Sequence, residues 1–219
     1  MAWEPLILSL KVATLATIFT VAIGVALGAL LAWRRMPARD LVDALLSAPL
    51  VLPPTVVGYY LLTVLGRDSA IGSAWKAVFG HQIVFTVTGC VVAAAVGSMP
   101  LVVKAARTAI EEVDPTLRAA ARTLGAGPVR VFFTVTLPLA APGVIAGAML
   151  AFARSLGDFG ITLMVAGDIP GQTQTSALYI YDQVQSGRDS RAATMSLLLT
   201  AVAVALLYAV NRLTRRRSA

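Results

Sequence analysis

Five stretches of this chain run for twenty residues or more without a single Asp, Glu, Lys or Arg: 12–33, 44–66, 77–103, 131–153 and 192–211. About 20 apolar residues are needed for a helix to cross a hydrocarbon core ~30 Å thick. Within lipid the backbone must satisfy its own hydrogen bonds, which restricts spanning structures to helices and closed barrels. The alternation expected of barrel strands is absent. The chain therefore reads as an all-α integral membrane protein, a single domain over 1–219. Its five transmembrane helices are expected at about 12–33, 44–66, 80–103, 131–153 and 192–211. Composition agrees. Of the 219 residues 58% are hydrophobic and 13% charged, whereas soluble domains carry about 25% charged residues. A soluble enzyme and a disordered chain are excluded.

The positions of the basic residues set the expected orientation. Arg34, Arg35 and Arg39 lie in the first loop, Lys104, Arg107, Arg118, Arg122 and Arg130 in loop 104–130, and Arg212, Arg215, Arg216 and Arg217 in the tail. These are twelve of the 18 Lys and Arg, and basic loops stay in the cytoplasm. The N-terminus is then outside and the C-terminus inside. The net charge of +7 is mostly this topology signal, so the terminal arginines read as a stop-transfer anchor rather than a nucleic-acid site. The first apolar run lacks a basic leader and is long enough to span, so it reads as a helix and not a cleaved signal. Cys90 and His81 are the only Cys and His. One of each makes neither a disulfide nor a metal site.

Loop 104–130 is too polar to span and too patterned for a plain linker. Asp114–Pro115 is a helix start, since Asp caps free N–H groups and Pro suits the first helical position. Gly125 closes the helix in a left-handed conformation. Leu117, Ala120, Ala121 and Leu124 fall at i, i+3, i+4 and i+7, one apolar face, with Arg118 and Arg122 on another. Gly127–Pro128 opens a further helix leading into the fourth span. A short capped helix between two spans either lies on lipid or docks in a groove on a soluble partner.

The run Ala119-Ala120-Ala121-x3-Gly125-x9-Val135-x-Leu137-Pro138 resembles the EAA loop of ABC-transporter permeases of the binding-protein-dependent importer type, E-A-A-x3-G-x9-I-x-L-P. Ala119 stands in place of the usual Glu, and Val135 in place of Ile. Residues 49–62, with Pro53-Pro54-Thr55-Val56-Val57-Gly58, resemble the second-span signature of the molybdate branch. Phe152-Ala153-Arg154-Ser155-Leu156-Gly157-Asp158-Phe159-Gly160 is similar to a segment shared by molybdate and sulfate permeases, with Asp158 for the usual Glu. Ile169-Pro170-Gly171-Gln172-Thr173-Gln174-Thr175 matches a further stretch of that group. The resemblance implies the membrane subunit of a molybdate importer in a bacterial or archaeal cytoplasmic membrane. It implies a homodimer, two cytoplasmic ATPase subunits docked on the coupling loop, and an extracytoplasmic molybdate-binding protein. Asp114, Pro115, Ala119, Ala120, Ala121, Gly125, Val135, Leu137 and Pro138 would form the docking element. The chain itself would carry no catalytic residue, no metal and no cofactor; ATP and Mg would sit on the partner ATPases.

The residues agree with that picture. No GxxxxGK[ST] occurs, so phosphate cradling by a P-loop must come from another chain. The charge-free runs hold no residue for proton or sodium coupling. A dianion cannot enter hydrocarbon naked, so its pathway must be a wet cavity lined by hydroxyls and backbone N–H groups. Pro53, Pro54 and Thr55, at a proline break in the second span, are candidates for that pathway or its gate. Thr86, Thr88 and Ser98 in the third span either line it or pack helix to helix. Arg154 and Asp158 form a local i,i+4 ion pair or meet the binding protein. They open a segment, about 157–191, expected as a re-entrant turn followed by an outer loop. Gly24 and Gly28 are spaced as a close helix contact. A sulfate or tungstate permease is the nearest alternative. A secondary transporter or a membrane scaffold recruiting a soluble partner would each leave part of this pattern unused.

Overall fold

The computed structural model describes residues 3–33 and 37–215, with side chains through residue 208. Arg34, Arg35, Arg216 and Arg217 lie outside the described residues, as do the side chains of Arg212 and Arg215. The described chain is helical throughout: α1 (Trp3–Ala32), α2 (Arg39–Val51), α3 (Pro54–Leu65), α4 (Ala70–Phe79), α5 (Val87–Glu111), α6 (Pro115–Thr123), α7 (Pro128–Val131), a π-helical turn (Phe132–Thr136), α8 (Leu137–Leu156), α9 (Gly160–Ala166), α10 (Ser176–Gln185) and α11 (Asp189–Arg215). Four helices are long and apolar enough to cross a membrane, and a fifth is made if the bent pair α2–α3 counts as one span.

Each expected span is corrected at its ends. α1 begins at Trp3 rather than at 12, because Lys11 is exposed and its long stem keeps the charge outward without interrupting the helix. The second span is not one helix over 44–66. α2 and α3 meet at 115°, because a residue before proline is pushed out of the helical region. Leu52 precedes Pro53 and is extended, with ψ 144°; Pro53 precedes Pro54 and has ψ 137°. Pro54 then takes the first turn of α3, where its missing N–H costs nothing. The third span, expected at 80–103, runs instead over Val87–Glu111 and continues through Pro100. The first eight residues of the expected 104–130 loop are therefore helix. The fourth span extends from 131–153 to Leu156, and the fifth from 192–211 to Asp189–Arg215.

α5 is the central helix of the bundle, packed against both α1 and α8, which also touch each other. Small residues set the distances. A Cβ on Gly28 would stand 2.9 Å from Ala106 Cβ and from Val103 O, and one on Gly147 2.6 Å from Ala105 Cβ. Val12, Ala16, Cys90, Val91, Ala94 and Ala166 form one buried cluster. Val57, Val84, Ala93, Ile161 and Val165 form another, joining α3, α5 and α9. In segment 157–191, α9 turns back after α8 and buries Ile161, Thr162, Val165 and Ala166 among α3 and α5, and α10 follows.

Candidate functional site

Between α5 and α8 the chain makes a knob. Asp114 Oδ1 accepts a 2.8 Å hydrogen bond from Thr116 N, and Pro115 begins α6. The bond holds the Asp114 carboxyl below its ordinary value, since the accepting form is the charged one. At the far end Gly125 has φ +83°, and N–H groups of Gly125 and Ala126 return to Arg122 O and Ala121 O. Arg118 Nη2 donates to Val113 O at 3.1 Å, tying the helix to its root. No residue of α6 is buried. Leu117 is 48% exposed and Leu124 88%, so the described residues leave this apolar edge largely uncovered. Ala119 and Ala120 are exposed and Ala121 is half-buried.

α6 touches α7 and the π turn that leads into α8. There Leu137 N bonds to Phe132 O, five residues back. Pro138 supplies the reason: lacking an N–H, it interrupts the regular ladder, and the chain absorbs the defect as one wide turn. Val135 is half-buried and Pro138 exposed. The sequence signal for this turn was Pro138, which the expectation of a plain helix from Pro128 overlooked.

α2 is held at the root of the same knob. Arg107 Nη1 meets Asp43 Oδ2 at 3.0 Å, Arg107 Nε meets Glu111 Oε1 at 3.1 Å, and Arg39 pairs with Glu111. α2 buries no residue, so this network is the main fastening of α2 to α5.

The pathway candidates separate. Pro53, Pro54 and Thr55 are exposed at the α2–α3 break. Thr86 is not inside the third span; it caps α5, accepting from Gly89 N at 3.4 Å and donating to Ile83 O at 2.6 Å. Thr88 is half-buried in the first turn of α5. Ser98 is fully buried. Its Oγ donates to Ala94 O at 2.8 Å, accepts from Ser155 Oγ at 3.2 Å and lies 3.4 Å from Thr20 Oγ1. That is a hydroxyl seam joining α1, α5 and α8.

Arg154 and Asp158 are ion-paired, with Arg154 Nη1 2.9 Å from Asp158 Oδ1. Asp158 Oδ2 accepts from Thr162 N at 3.0 Å and Thr162 Oγ1 at 2.6 Å, capping α9. Asp158 is buried and Arg154 half-buried. The pair lies beside Gly97, ten residues past the start of α5. The expectation of helices free of formal charge is corrected here: counting charge-free residues ended the fourth span at Ala153, whereas α8 runs three residues further and takes Arg154 with it.

The segment after α9 is polar and buried. Thr173, Gln174, Thr175 and Ser176 are all buried. Thr173 Oγ1 accepts from Ile169 N and donates to Gly167 O, and Ser176 N donates to Ser9 Oγ at 2.7 Å. Burial pushes the Asp168 carboxyl up, against a hydrogen bond from Gln174. A cavity of about 570 Å³ beside it is lined by Gln174, Tyr179, Asp182, Gln183, Arg188 and Arg191. Among the described residues no group of three or more His, Cys, Asp or Glu is arranged to hold a metal.

The model of the family described as "Binding-protein-dependent transport system inner membrane component" matches residues 24–218. The molybdenum transport system permease protein ModB of Escherichia coli strain K12 is 46% identical over 220 residues, covering 99% of this chain and 96% of that protein. The sulfate transport system permease protein CysT of the same organism is 34% identical over 204 residues, covering 93% of this chain and 73% of that one. A chain of the MetNI methionine ABC transporter, solved in inward-facing conformations, superposes with TM-score 0.76 at 20% identity. It covers 98% of this chain and 93% of its own, which establishes a shared fold.

Proposed function

Because the chain belongs to the family of binding-protein-dependent transport system inner membrane components, we propose that it is the permease subunit of an ATP-driven importer that moves molybdate into the cytoplasm. The observation that carries the substrate is the end-to-end similarity to a molybdenum permease at 46% identity, against 34% for a sulfate permease. The subunit works as a homodimer with two cytoplasmic ATPases and an extracytoplasmic binding protein, in a bacterial or archaeal cytoplasmic membrane. It hydrolyses nothing itself; ATP and Mg belong to the ATPases. The termini follow the basic residues, N-terminus outside and C-terminus inside.

The knob is the mechanical link. An exposed helix with a firm cap at each end keeps its shape when gripped, and its uncovered face of Leu117, Ala120, Ala121 and Leu124 suits a groove on an ATPase. Closing the ATPases on ATP pulls two such helices together. The force passes through the α6–π turn contact into α8 and through the Arg107 network into α2. The two subunits then rock between inward and outward access. ATP drives this only through contacts that differ between the two states. With Ala119 in place of the EAA glutamate, docking has no ionic contact through that side chain.

Two measurements test the reading. Proteoliposomes holding the complex, supplied with its binding protein and ATP, should accumulate labelled molybdate in preference to labelled sulfate. Preference for sulfate would transfer the chain to the other branch. Gly125→Val forces a β-branched residue to φ +83°, a strain of about 1–2 kcal/mol, at the end of the docking helix. Uptake should fall at least tenfold while the complex still inserts and hydrolyses ATP; unchanged uptake would remove the coupling role of α6.

A further inference from the structure

The Arg154–Asp158 pair stands where a membrane chain can least hold a charge. A helix rises 1.5 Å per residue, so Gly97 lies about 15 Å along α5 from Val87 and about 21 Å from Glu111. A Cβ on Gly97 would come within 3.7 Å of both Arg154 Nη2 and Asp158 Oδ1. The pair therefore lies near the middle of α5, a helix long and apolar enough to cross a membrane. The two partners are unequally satisfied. Asp158 has a side chain 3% exposed, and both its oxygens are engaged, one by Arg154 and the other by Thr162. Arg154 is 32% exposed, and only one of the five N–H donors of a guanidinium is turned to Asp158.

A half-open guanidinium at that depth does not face lipid. Ionisable groups inside membranes face the bundle interior or a water-filled cavity. The neighbouring wall makes the same demand independently. Gly160, two residues past Asp158, abuts the α2–α3 break: a Cβ there would stand 2.8 Å from Pro54 Cβ and 3.7 Å from Thr55 N. Leu52, Pro53, Pro54 and Thr55 are all exposed, and non-helical backbone is tolerated at membrane depth only where protein covers it or a cavity wets it. The carboxylate that holds the open guanidinium is thus two residues from the glycine that abuts the broken helix.

We propose that Arg154 is an oxyanion site inside the conduit, its free guanidinium edge donating to two oxygens of the transported tetrahedral dianion, with Thr55 contributing from the α3 side. This rests on the importer reading above and names the group that reading lacks. Asp158 is a positioning residue. It fixes the guanidinium plane and cancels part of its charge, so the anion is held weakly enough to leave, as conduction requires. A lysine would supply charge without the planar fork that matches an oxyanion.

The test uses the complete complex in proteoliposomes with Cys90 replaced by Ala, a background whose molybdate uptake is checked first. Failure of that background and of the parent chain to take up molybdate would count against the importer reading, not against the site. Arg154→Cys is combined with Asp158→Asn so that no lone carboxylate is left buried. A membrane-impermeant thiol reagent should label the introduced thiol, and millimolar sodium molybdate should slow that labelling at least fivefold while sodium chloride of equal ionic strength does not. Modification by a cationic aminoethyl reagent should restore part of the lost uptake, and an anionic sulfonatoethyl reagent should not. Where that variant fails to assemble, Thr55→Cys, an exposed position, carries the same labelling test. Absence of labelling, or labelling indifferent to molybdate, at the position tested would overturn the proposal.

Discussion

Asp168 sits in the turn after α9 with one carboxyl oxygen buried and without a partner. Burial raises its proton affinity, and Asp182 adds to the effect. An acid whose folded value is raised binds its proton more tightly folded than unfolded. Its contribution to stability is fullest below the unfolded value, about pH 4, and is lost as pH rises through the folded value. Asp168→Asn removes that loss. The variant should melt at about the same temperature as the parent near pH 4 and up to about 2 °C higher at pH 7, read by thermal unfolding of the detergent-solubilised complex. A difference that shrinks between pH 4 and pH 7 would show the sign to be wrong. At this scale the sequence was readable wherever the cause was local. Asp114, Pro115 and Gly125 announce a helix and its two ends because caps act within one turn. Arg154 and Asp158 announce an ion pair because i,i+4 neighbours meet on a helix. Their depth was not readable. It depends on Gly97, on another helix, leaving space for them, and a charge in sequence looks like the end of a span whether or not a partner neutralises it.

Helices here are spaced by glycine. Gly24 and Gly28 bring α1 onto Val102 and Ala106, while Gly143 and Gly147 bring α8 onto Ala109 and Ala105. α5 is thus clasped by small residues on two sides, and packing rather than a hydrophobic drive must hold helices together in lipid. A Cβ on Gly28 meets the backbone oxygen of Val103 at 2.9 Å, which no side-chain rotation relieves. Gly28→Leu should cost about 1–3 kcal/mol and sharply reduce the yield of monodisperse complex. Gly127→Ala, where a Cβ meets nothing within 4 Å, should leave the yield unchanged; equal yields from both would dissolve the argument. The α1–α5 seam was legible as a four-residue spacing. The division of run 77–103 into α4 and α5 was not, because every residue in it suits a membrane. What divides it is Gly80 and Phe85, both at positive φ, and Phe85 N is held by Val165 O at 3.0 Å. Val165 lies eighty residues away on α9, in the segment the sequence offered as a re-entrant turn and an outer loop.

Taken whole, the chain separates recognition, energy and passage. One end of the bundle offers a knob, the other buried hydroxyls and a polar cavity, and between them, among the described residues, stands the ion pair beside Gly97. That pair cannot serve a secondary transporter. A coupling acid must gain and lose a proton or a sodium ion during each cycle, and Asp158 has both oxygens committed to Arg154 and Thr162. Releasing it would leave two separate charges in a low-dielectric interior, where unpaired charges are most costly. Gradients should therefore do no work here. Proteoliposomes with the permease and its ATPases, given an imposed proton or sodium gradient but no ATP, should take up molybdate at the rate of empty vesicles. ATP without the binding protein should raise uptake little, because a half-neutralised site holds the anion too weakly to collect it from dilute solution. ATP and binding protein together should raise it at least tenfold. Uptake driven by a gradient alone would return the chain to the secondary transporters. Full uptake without the binding protein would mean that the membrane subunit recognises its own substrate tightly, which a guanidinium already shared with Asp158 is poorly placed to do.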